Sequence, residues 1–379
     1  MRIAFLSESF SPVVNGVSVS VDTLASGLQS LGHSVCVLAP SYPGFEEAAA
    51  YPVIRLPSAP TPGVKEYRYP LPFSPPMSAA LRRFAPDVLH TQAPFVFGWA
   101  GLYLARRLRV PLVTTLHTLY AEYVHYVHWV PAPLARWAVV KVIRGHCNRA
   151  DAVIVPTDPI RDLLRSYGVR RGLEVVPTGI PLDRFAEADP TGIREAHGIP
   201  LSAPLALYAG RLAQEKNLPT LLDAFRLVLK ARPEARLLMV GGGPNLEQTR
   251  HRAEAMGIGE SVHFAGAKTP DETRRYYRAA DLFLYASVTD TQGLVLCEAL
   301  AAGLPCVAAD RYGTKAVVRE GLDGFRVEPE PAALSEGVLR LIDDPELRSR
   351  MSRTALEGAQ RFSTQASVER LLEVYRSVL

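Results

Sequence analysis

Residues 1–40 read MRIAFLSESFSPVVNGVSVSVDTLASGLQSLGHSVCVLAP. Two short apolar runs rich in β-forming residues, RIAFLS (2–7) and SVCVLA (34–39), flank a helical stretch from Val17 to Leu31. Gly32 follows that stretch and is a typical helix stop. A strand, a helix and a second strand in this order predict a βαβ unit, and a βαβ unit implies a parallel sheet.

The same alternation continues through the first half of the chain. Further apolar runs predict strands, and the segments 96–108 and 133–149 between them are long enough for helices. These runs are PVIRLP (52–57), DVLHTQ (87–92), LVTTLHT (112–118), DAVIVPT (151–157) and LEVVPTG (173–179).

A second series of strands begins near residue 203, where APLALYAG (203–210) precedes an amphipathic helix from Leu218 to Ala231. The strands that follow are ARLLMVGGG (235–243), SVHFAG (261–266), DLFLYAS (281–287), LPCVAA (304–309) and GFRVEP (324–329). Between the two series, the polar and Pro-rich stretch 180–200 is interpreted as an inter-domain linker.

These patterns predict two doubly wound α/β domains, because 379 residues exceed what one compact core usually holds. We expect an N-terminal domain over residues 1–186 and a C-terminal domain over 187–361, with the amphipathic helix in 362–379 packing back on the first. Sheets of this kind bind ligands at the carboxyl ends of their strands, which here would line an inter-domain cleft.

Composition excludes several classes of protein. The chain is 48% hydrophobic and 21% charged, which is ordinary for a globular protein. Its longest uncharged apolar run, residues 95–105, falls short of the about 20 residues that cross a bilayer. The apolar start meets Glu8 too early for a signal peptide, so a cytoplasmic location is expected. The four scattered cysteines, Cys36, Cys147, Cys297 and Cys306, disfavour a zinc site or a disulfide framework.

The positive charge lies in the first half. Residues 1–186 contain 18 Lys and Arg against 12 Asp and Glu, whereas the rest contains 24 against 26. A basic half suggests an anionic partner, although ordinary scatter of charge between two domains gives the same count. A nucleic acid is not expected, because the pI of 8.8 comes without a basic aromatic platform of the usual kinds.

The usual nucleotide fingerprints are absent from the sequence. No Gly-x-Gly-x-x-Gly follows the first strand, no Gly-x-x-x-x-Gly-Lys-Ser/Thr loop occurs, and there is no Asp-x-Asp pair for a metal–diphosphate clamp. Single glycines at strand ends remain. Gly16 opens the first helix, where backbone N–H groups can approach a phosphate, but a plain turn would look the same.

Two cations and two carboxylates follow predicted strands of the second half. Arg211 and Lys216 come after the strand that ends at Gly210, where they could bind an anion or be surface charges. Asp290 and Glu298 flank TQGLV (291–295), whose free N–H groups at a helix start could serve a diphosphate or a sugar hydroxyl. Glu298 could bind a cis-diol such as ribose, although a solvated helix start has the same spacing.

Taken in order, these motifs resemble the retaining glycosyltransferases of family 4, which have the GT-B fold of two facing Rossmann-like domains. The resemblance runs nearly from end to end. The matching motifs are ESFSPVVNGVSVSV (8–21), LHT (116–118), VVPTGI (175–180), YAGRLAQEKN (208–217), VGGGP (240–244), ADLFLYAS (280–287), Asp290-x7-Glu298 and ALAAGLPCVAA (299–309). In that family the carboxylate pair is normally Glu-x7-Glu, so Asp290 is one methylene shorter than the usual residue.

The resemblance implies a donor site for a nucleotide-diphosphate sugar that needs no cofactor and no essential divalent metal. The leaving diphosphate would be neutralised by cations and N–H groups, and the sugar would be transferred with retention by same-face attack. The implied roles are Gly16 against the diphosphate, Arg211 and Lys216 neutralising it, Glu298 on the ribose, Asp290 with Gly293, Leu294 and Val295 on the sugar, His117 beside the reacting sugar and Gly266 near the base. Of these, His117, Asp290, Arg211 and Lys216 would be catalytic.

The segment 116–157 resembles the branch of the family that glycosylates diacylglycerol or related membrane lipids. Its aromatic-rich part contains Tyr120, Tyr123, His125, Tyr126, His128 and Trp129, and a basic helix follows with Arg136, Lys141, Arg144 and Arg149. With the patch VKEYRYPLPFSPPMSAALRRF (64–84), it suits peripheral attachment to an anionic membrane at the inner face of the cell membrane. Core packing of a large helix is the alternative.

UDP-glucose is the donor that the lipid branch implies, with transfer to a lipid acceptor. Three alternatives stay open at this point. They are a GDP-mannose-dependent mannosyltransferase or a glucosyltransferase on a soluble sugar or polysaccharide, a non-hydrolysing sugar-nucleotide epimerase, and a nucleotide-sugar-binding protein without enzymatic activity.

Overall fold

The computed structural model describes residues 1–61, 64–71, 74–122 and 130–379. The chain forms two compact units, one of Met1–Gly179 with Thr364–Leu379 and one of Ile180–Ser363. The first unit therefore ends at residue 179, where the sequence predicted 186, and the chain returns to it at residue 364, where the sequence predicted 362. Within the described ranges, no helix is both long enough and apolar enough to cross a membrane.

The first unit is built on a seven-stranded parallel sheet with the order β3-β2-β1-β6-β7-β8-β9. Its strands are β1 (Arg2–Leu6), β2 (Ser34–Pro40), β3 (Val53–Leu56), β4 (Ser58–Thr61), β5 (Val64–Pro70), β6 (Val88–Thr91), β7 (Leu112–Thr115), β8 (Ala152–Val155) and β9 (Leu173–Val175). Its helices are α1 (Gly16–Ser30), α2 (Pro75–Phe84), α3 (Val96–Leu108), α4 (Ala132–Cys147) and α5 (Asp158–Ser166).

β4 and β5 form a separate antiparallel pair, with Ser58 opposite Pro70. The sequence did not predict this pair. Prolines at 57, 60 and 62 interrupt the alternation of apolar and polar residues on which strand prediction depends. The basic patch predicted at 64–84 therefore consists of β5 and α2 as far as the structure describes it.

The second unit has a six-stranded parallel sheet with the order β12-β11-β10-β13-β14-β15. Its strands are β10 (Leu205–Ala209), β11 (Arg236–Val240), β12 (Val262–Gly266), β13 (Leu282–Tyr285), β14 (Cys306–Ala309) and β15 (Gly324–Val327). Its helices are α6 (Leu182–Ala186), α7 (Ile193–Ala196), α8 (Leu218–Ala231), α9 (Leu246–Ala255), α10 (Pro270–Ala279), α11 (Leu294–Ala301), α12 (Tyr312–Val317), α13 (Pro331–Asp343) and α14 (Pro345–Ala359). Two doubly wound α/β units confirm the predicted fold class.

The interpretation of residues 180–200 as a linker was wrong. Ile180, Phe185, Ile193 and Ile199 are all buried in the hydrophobic core of the second unit. Arg194 fixes the same stretch to the second unit, because its guanidinium lies 2.9 Å from Oδ2 of Asp281 and donates to backbone carbonyls. The apolar side chains occur singly along a polar, Pro-rich stretch, so the sequence pattern did not indicate that this stretch is buried.

The last helix, α15 (Thr364–Val378), packs back on the first unit. It lies against α1 so closely that a Cβ on Gly27 would come within 2.6 Å of Cγ2 of Val368. Tyr375 of α15 is fully buried, and its hydroxyl lies 2.7 Å from Nδ1 of His90 on β6. The C-terminal residues are therefore part of the core of the first unit.

Buried histidines make the stability of the first unit sensitive to acid. Burial lowers the pKa of His90 to about 3, with a smaller contribution from His117, and lowers that of His146 to about 4. The unfolded chain binds protons at the ordinary pKa near 6.5, so each histidine lowers the stability as the pH falls from about 6.5 towards 4. The buried Glu8, whose pKa burial raises to about 7, acts in the opposite sense. At pH 4 each histidine should cost about 3 kcal/mol.

Urea unfolding between pH 7 and pH 4 tests this expectation, and tryptophan fluorescence reports the first unit because Trp99, Trp129 and Trp137 all lie in its sequence. His146→Gln should flatten the pH dependence, whereas His251→Gln, at an exposed position of α9, should leave it unchanged. Equal slopes for the two variants would contradict the assignment.

Candidate active site

The second sheet brings several predicted site residues to one point of its edge. The strand order reverses between β10 and β13, so the helices that follow these two strands cover opposite faces of the sheet. Ligands of doubly wound sheets bind where the order reverses, at the carboxyl ends of the strands. Arg211 and Lys216 follow β10, and Asp290 follows β13, so all three lie at this position.

Lys216, Asp290 and Tyr285 form a compact polar cluster. Nζ of Lys216 lies 2.7 Å from Oδ1 of Asp290 and 3.2 Å from the hydroxyl of Tyr285. That hydroxyl in turn donates to Oδ2 of Asp290. The side chains of Lys216 and Asp290 are 15% and 18% exposed, so the pair is largely shielded from solvent but still reaches the surface.

The pKa of Asp290 is lowered. Burial by itself raises it, but the charge of Lys216 and hydrogen bonds from Lys216, Tyr285 and Ser287 together outweigh burial. Asp290 is therefore an ionised acceptor at neutral pH, able to accept hydrogen bonds from a sugar hydroxyl.

Arg211 is exposed, and its guanidinium has no hydrogen-bond or ion-pair partner among the described residues. Its backbone is fixed, because the buried Tyr208 hydroxyl donates to the Arg211 carbonyl over 3.0 Å. A charged side chain on an anchored backbone suits an anion approaching from solvent.

Glycines bring the neighbouring loops into direct contact. Gly241 has φ +138°, and a Cβ there would collide with the carbonyl oxygen of Gly210. A Cβ on Gly243 would likewise collide with the carbonyl oxygen of Leu212. Gly266, at the end of β12, has φ +72° and open space on its Cβ side. The first two glycines thus permit close packing of the loops, whereas Gly266 leaves room beside the sheet.

Helix α11 begins after Gly293, which adopts φ +74° and serves as its N-cap. The peptide N–H groups of Leu294 and Val295 are the first of the helix, where no intrahelical acceptor exists. Glu298 lies one turn further on, and the buried Tyr277 donates to its Oε2 over 2.8 Å. Burial raises the pKa of Glu298, and the hydrogen bond from Tyr277 and the charge of Arg274 oppose this rise.

Gly16 and His117 lie in the first unit, after β1 and β7 respectively. Asn15 caps α1, and its side-chain oxygen accepts from the N–H groups of Val17 and Ser18, both at 3.0 Å. The cap therefore occupies two of the N–H groups expected to be open, whereas the N–H of Gly16 has no partner within the described part of the chain.

His117 is held in its neutral form. Its Nε2 lies 2.7 Å from Oε1 of Gln92, a fully buried side chain at the end of β6. Burial lowers the pKa of His117 to about 4. A neutral imidazole can exchange hydrogen bonds with a sugar hydroxyl, but it does not supply a cation at neutral pH.

His117→Ala is expected to lower sugar transfer about 10²-fold, by analogy with removing one donor from a preorganised site. Because the pKa of His117 is about 4, its protonation should reduce the wild-type rate only below about pH 5. Initial rates from pH 4.5 to 8 measure both effects, with His251→Ala as an exposed control. Wild-type turnover by His117→Ala would remove this residue from the site.

Sequence reasoning missed the side chains that support these residues. Tyr208, Tyr285 and Tyr277 are buried, and each donates to a group of the site. For Tyr208 and Tyr285 the available signal was a tyrosine near the end of a strand that leads into a motif, since a buried phenol normally needs a hydrogen-bond partner, whereas Tyr277 lies on α10. Of the predicted aromatic segment, residues 123–129 lie outside the described residues.

Two family models together match most of the chain. Residues 14–184 match Glycosyltransferase Family 4, and residues 190–357 match Glycosyl transferases group 1. The Alpha-monoglucosyldiacylglycerol synthase of Streptococcus pneumoniae is 36% identical over 81% of this chain and 71% of its own length. The protein of the same name from Acholeplasma laidlawii is 32% identical over 94% of this chain and 92% of its own length.

A third relative, the GDP-mannose-dependent alpha-mannosyltransferase of Corynebacterium glutamicum, is 29% identical over all of this chain and 89% of its own length. Among solved structures, the Sucrose-phosphate synthase of Thermosynechococcus elongatus superposes with a TM-score of 0.83 at 23% identity, covering 99% of this chain and 98% of that one. The fold is therefore GT-B. From its two family matches and these relatives, the chain belongs to glycosyltransferase family 4 and is a glycosyltransferase.

Proposed function

We propose that this protein transfers glucose from UDP-glucose to a membrane lipid such as diacylglycerol, with retention at the anomeric carbon. The observation that carries the proposal is the 36% identity to a protein named Alpha-monoglucosyldiacylglycerol synthase, supported by the second relative of that name. The cluster at the carboxyl ends of β10 and β13 supplies groups suited to the donor.

In this proposal the bond from the anomeric carbon to the diphosphate breaks, and the acceptor oxygen bonds to that carbon on the same face. The acceptor's proton leaves with the departing phosphate. Arg211 and Lys216 stabilise the negative charge that develops on the leaving group. Asp290 and the N–H groups of Leu294 and Val295 hold the sugar, Glu298 holds the ribose, and Gly266 lies beside the base.

For the first unit we propose that His117 contacts the reacting sugar and Gly16 the diphosphate. We assign no essential role to a divalent metal, because Arg211 and Lys216 supply the positive charge that a metal would otherwise bring to a diphosphate. Turnover that survives a chelator such as EDTA supports this assignment, and turnover restored only by Mg²⁺ or Mn²⁺ contradicts it.

A second candidate is a mannosyltransferase that uses GDP-mannose, since a protein of that name is 29% identical over the whole chain. A glucosyltransferase with a soluble sugar or polysaccharide acceptor would use the same cluster. Membership of the family removes the epimerase from consideration, whereas a nucleotide-sugar-binding protein without turnover remains an outcome of the test.

An aromatic and basic surface on α3 and α4 supports a lipid acceptor. Trp99, Tyr103 and Trp137 are 40%, 50% and 56% exposed. Arg149 lies over the ring of Trp99 at 5.7 Å, and Lys141 over that of Trp137 at 3.9 Å. Indole rings beside cations suit the headgroup level of an anionic bilayer. We therefore propose peripheral attachment at the inner face of the cell membrane.

Vesicle sedimentation tests this attachment. We expect binding to vesicles of phosphatidylglycerol, weaker binding to phosphatidylcholine, and loss of the difference at high salt. Arg106→Glu with Arg107→Glu should reverse the preference, because both lie in α3 beside Tyr103 and have no acidic partner within the described ranges. Arg350→Glu with Arg353→Glu, on α14 of the second unit, is the matched control. Equal binding to both vesicle types would contradict the proposal.

The decisive experiment follows nucleoside diphosphate release from UDP-glucose, UDP-galactose, UDP-GlcNAc and GDP-mannose, with and without diacylglycerol vesicles. Release from UDP-glucose that the lipid strongly increases would support the proposal. Release from GDP-mannose would favour the second candidate, and release unaffected by lipid would indicate a soluble acceptor. No release from any donor would contradict both and favour a binding protein.

A further inference from the structure

Asp290 is one methylene shorter than the glutamate usual in the family, yet its carboxylate is held on both oxygens. Lys216 contacts Oδ1 at 2.7 Å, and the hydroxyl of Tyr285 donates to Oδ2. Tyr285 is the last residue of β13, so the chain between it and Asp290 is only a short loop. This contact is a feature of this chain's own residues that the roles proposed above do not use.

Two anionic groups can pair with the ammonium of Lys216: the Asp290 carboxylate and the diphosphate of the donor. In the structure it pairs with Asp290, whereas the proposed function requires it to neutralise the diphosphate of the donor. A diphosphate drawn to the same ammonium competes with Asp290 for it, because both are anions. Once the ammonium turns towards the diphosphate, Asp290 needs a second partner to stay in place and ionised.

We propose that Tyr285 is a positioning residue of the donor site, which holds the Asp290 carboxylate while Lys216 engages the diphosphate. The inference rests on the proposed function for the identity of the ligand. The phenol is well placed for the role, since only 1% of Tyr285 is exposed and its ring stacks on Tyr208 at 6.2 Å and on Phe283 at 5.8 Å. Burial and these two ring contacts restrict the ring, so the hydroxyl keeps its direction towards Asp290.

The charged and titratable groups around Asp290 determine what the loss of this hydroxyl would do. Lys216 faces it from the turn after β10, and Tyr208 and Tyr285 from β10 and β13. Ser287 donates from the loop after β13, and Glu215 lies near Tyr208. Without the phenol, a carboxylate that must share Lys216 with a diphosphate loses one of its hydroxyl donors, and the other, Ser287, also donates to the backbone carbonyl of Glu215 over 3.2 Å. Protonation of Asp290 then becomes easier.

Tyr285→Phe is the direct test, because it removes the hydroxyl and keeps the ring. We expect kcat to fall about 10-fold at pH 7 and the pKa of Asp290 in the complex with UDP to rise, from the loss of a hydrogen bond to a charged group. KM for the donor should change less than about threefold, since Arg211 and Lys216 remain.

Tyr208→Phe is the matched control. It removes a hydroxyl of equal burial from the neighbouring strand, but that hydroxyl bonds to the carbonyl of Arg211 and not to Asp290. The pKa of Asp290 in this variant should equal that of the wild type, whatever its effect on rate. An unchanged pKa of Asp290 in Tyr285→Phe, or an equal rise in both variants, would overturn the inference.

A measurement without turnover separates this inference from the proposed function. The ¹³C carboxyl resonance of Asp290, identified by its loss in Asp290→Asn, is titrated with saturating UDP and again with GDP. We expect a higher pKa in Tyr285→Phe than in the wild type. This shift in a protein that turns over no donor would refute the function and leave the role of Tyr285 standing, whereas turnover without the shift would refute the inference alone.

Discussion

Lys216→Ala is expected to reduce kcat for sugar transfer about 10²–10³-fold, the range found for removing one preorganised group that stabilises charge in a transition state. The variant removes the cation proposed to neutralise the leaving diphosphate. It also leaves Asp290, 18% exposed, without its ion-pair partner at 2.7 Å. Initial rates with the active donor measure the effect, and far-UV circular dichroism verifies that the second unit is folded.

Three companion variants separate these causes. Lys230→Ala removes an exposed lysine from the last turn of α8 and should leave the rate unchanged. Lys216→Ala combined with Asp290→Asn is compared with Asp290→Asn alone, because Asp290 itself contacts the sugar in the proposal. If Lys216 acted only by pairing with Asp290, the two variants would have equal rates. We expect the double variant to be slower, because the diphosphate still lacks its cation, and a kcat within tenfold of the wild type in Lys216→Ala would refute the role.

Gly241→Ala is expected to destabilise the second unit by about 3 kcal/mol or more, from backbone strain and overpacking together. At φ +138° an L side chain is strained, and its Cβ would meet the Gly210 carbonyl oxygen. Gly210 immediately precedes Arg211, so the displaced loop should also raise KM for the donor. Urea unfolding followed by far-UV circular dichroism measures the stability.

Gly242→Ala is the neighbouring control. The added Cβ would lie 3.3 Å from Cβ of Ala267, and Gly242 has no positive φ. We therefore expect the second unit to lose less than about 1 kcal/mol of stability. Tryptophan fluorescence should not change in either variant, because all three tryptophans belong to the sequence of the first unit. Equal stability of Gly241→Ala and the wild type would contradict the close approach of the two loops.

The strands were predictable because each is a short apolar run bounded by polar or glycine residues, a local property of the chain. Every strand that the sequence predicted in the two sheets is present in the structure. The helix from Val96 to Leu108 was also predicted to the residue. The local pattern did not predict β4 and β5, because prolines interrupt it there. It also did not predict the burial of residues 180–200, because isolated apolar residues provide the packing of that stretch.

The sequence by itself determined the succession of strands and helices, the repetition of a doubly wound unit, and the residue types at each strand end that resemble a donor site. Only the tertiary structure decided which of those ends meet. Lys216 and Asp290 are separated by 74 residues, and they pair because β10 and β13 are neighbours in the sheet. Strand order depends on how helices cover the two faces, which no single segment encodes. The roles of Tyr285 and Tyr208 therefore became visible only once both strands were in place.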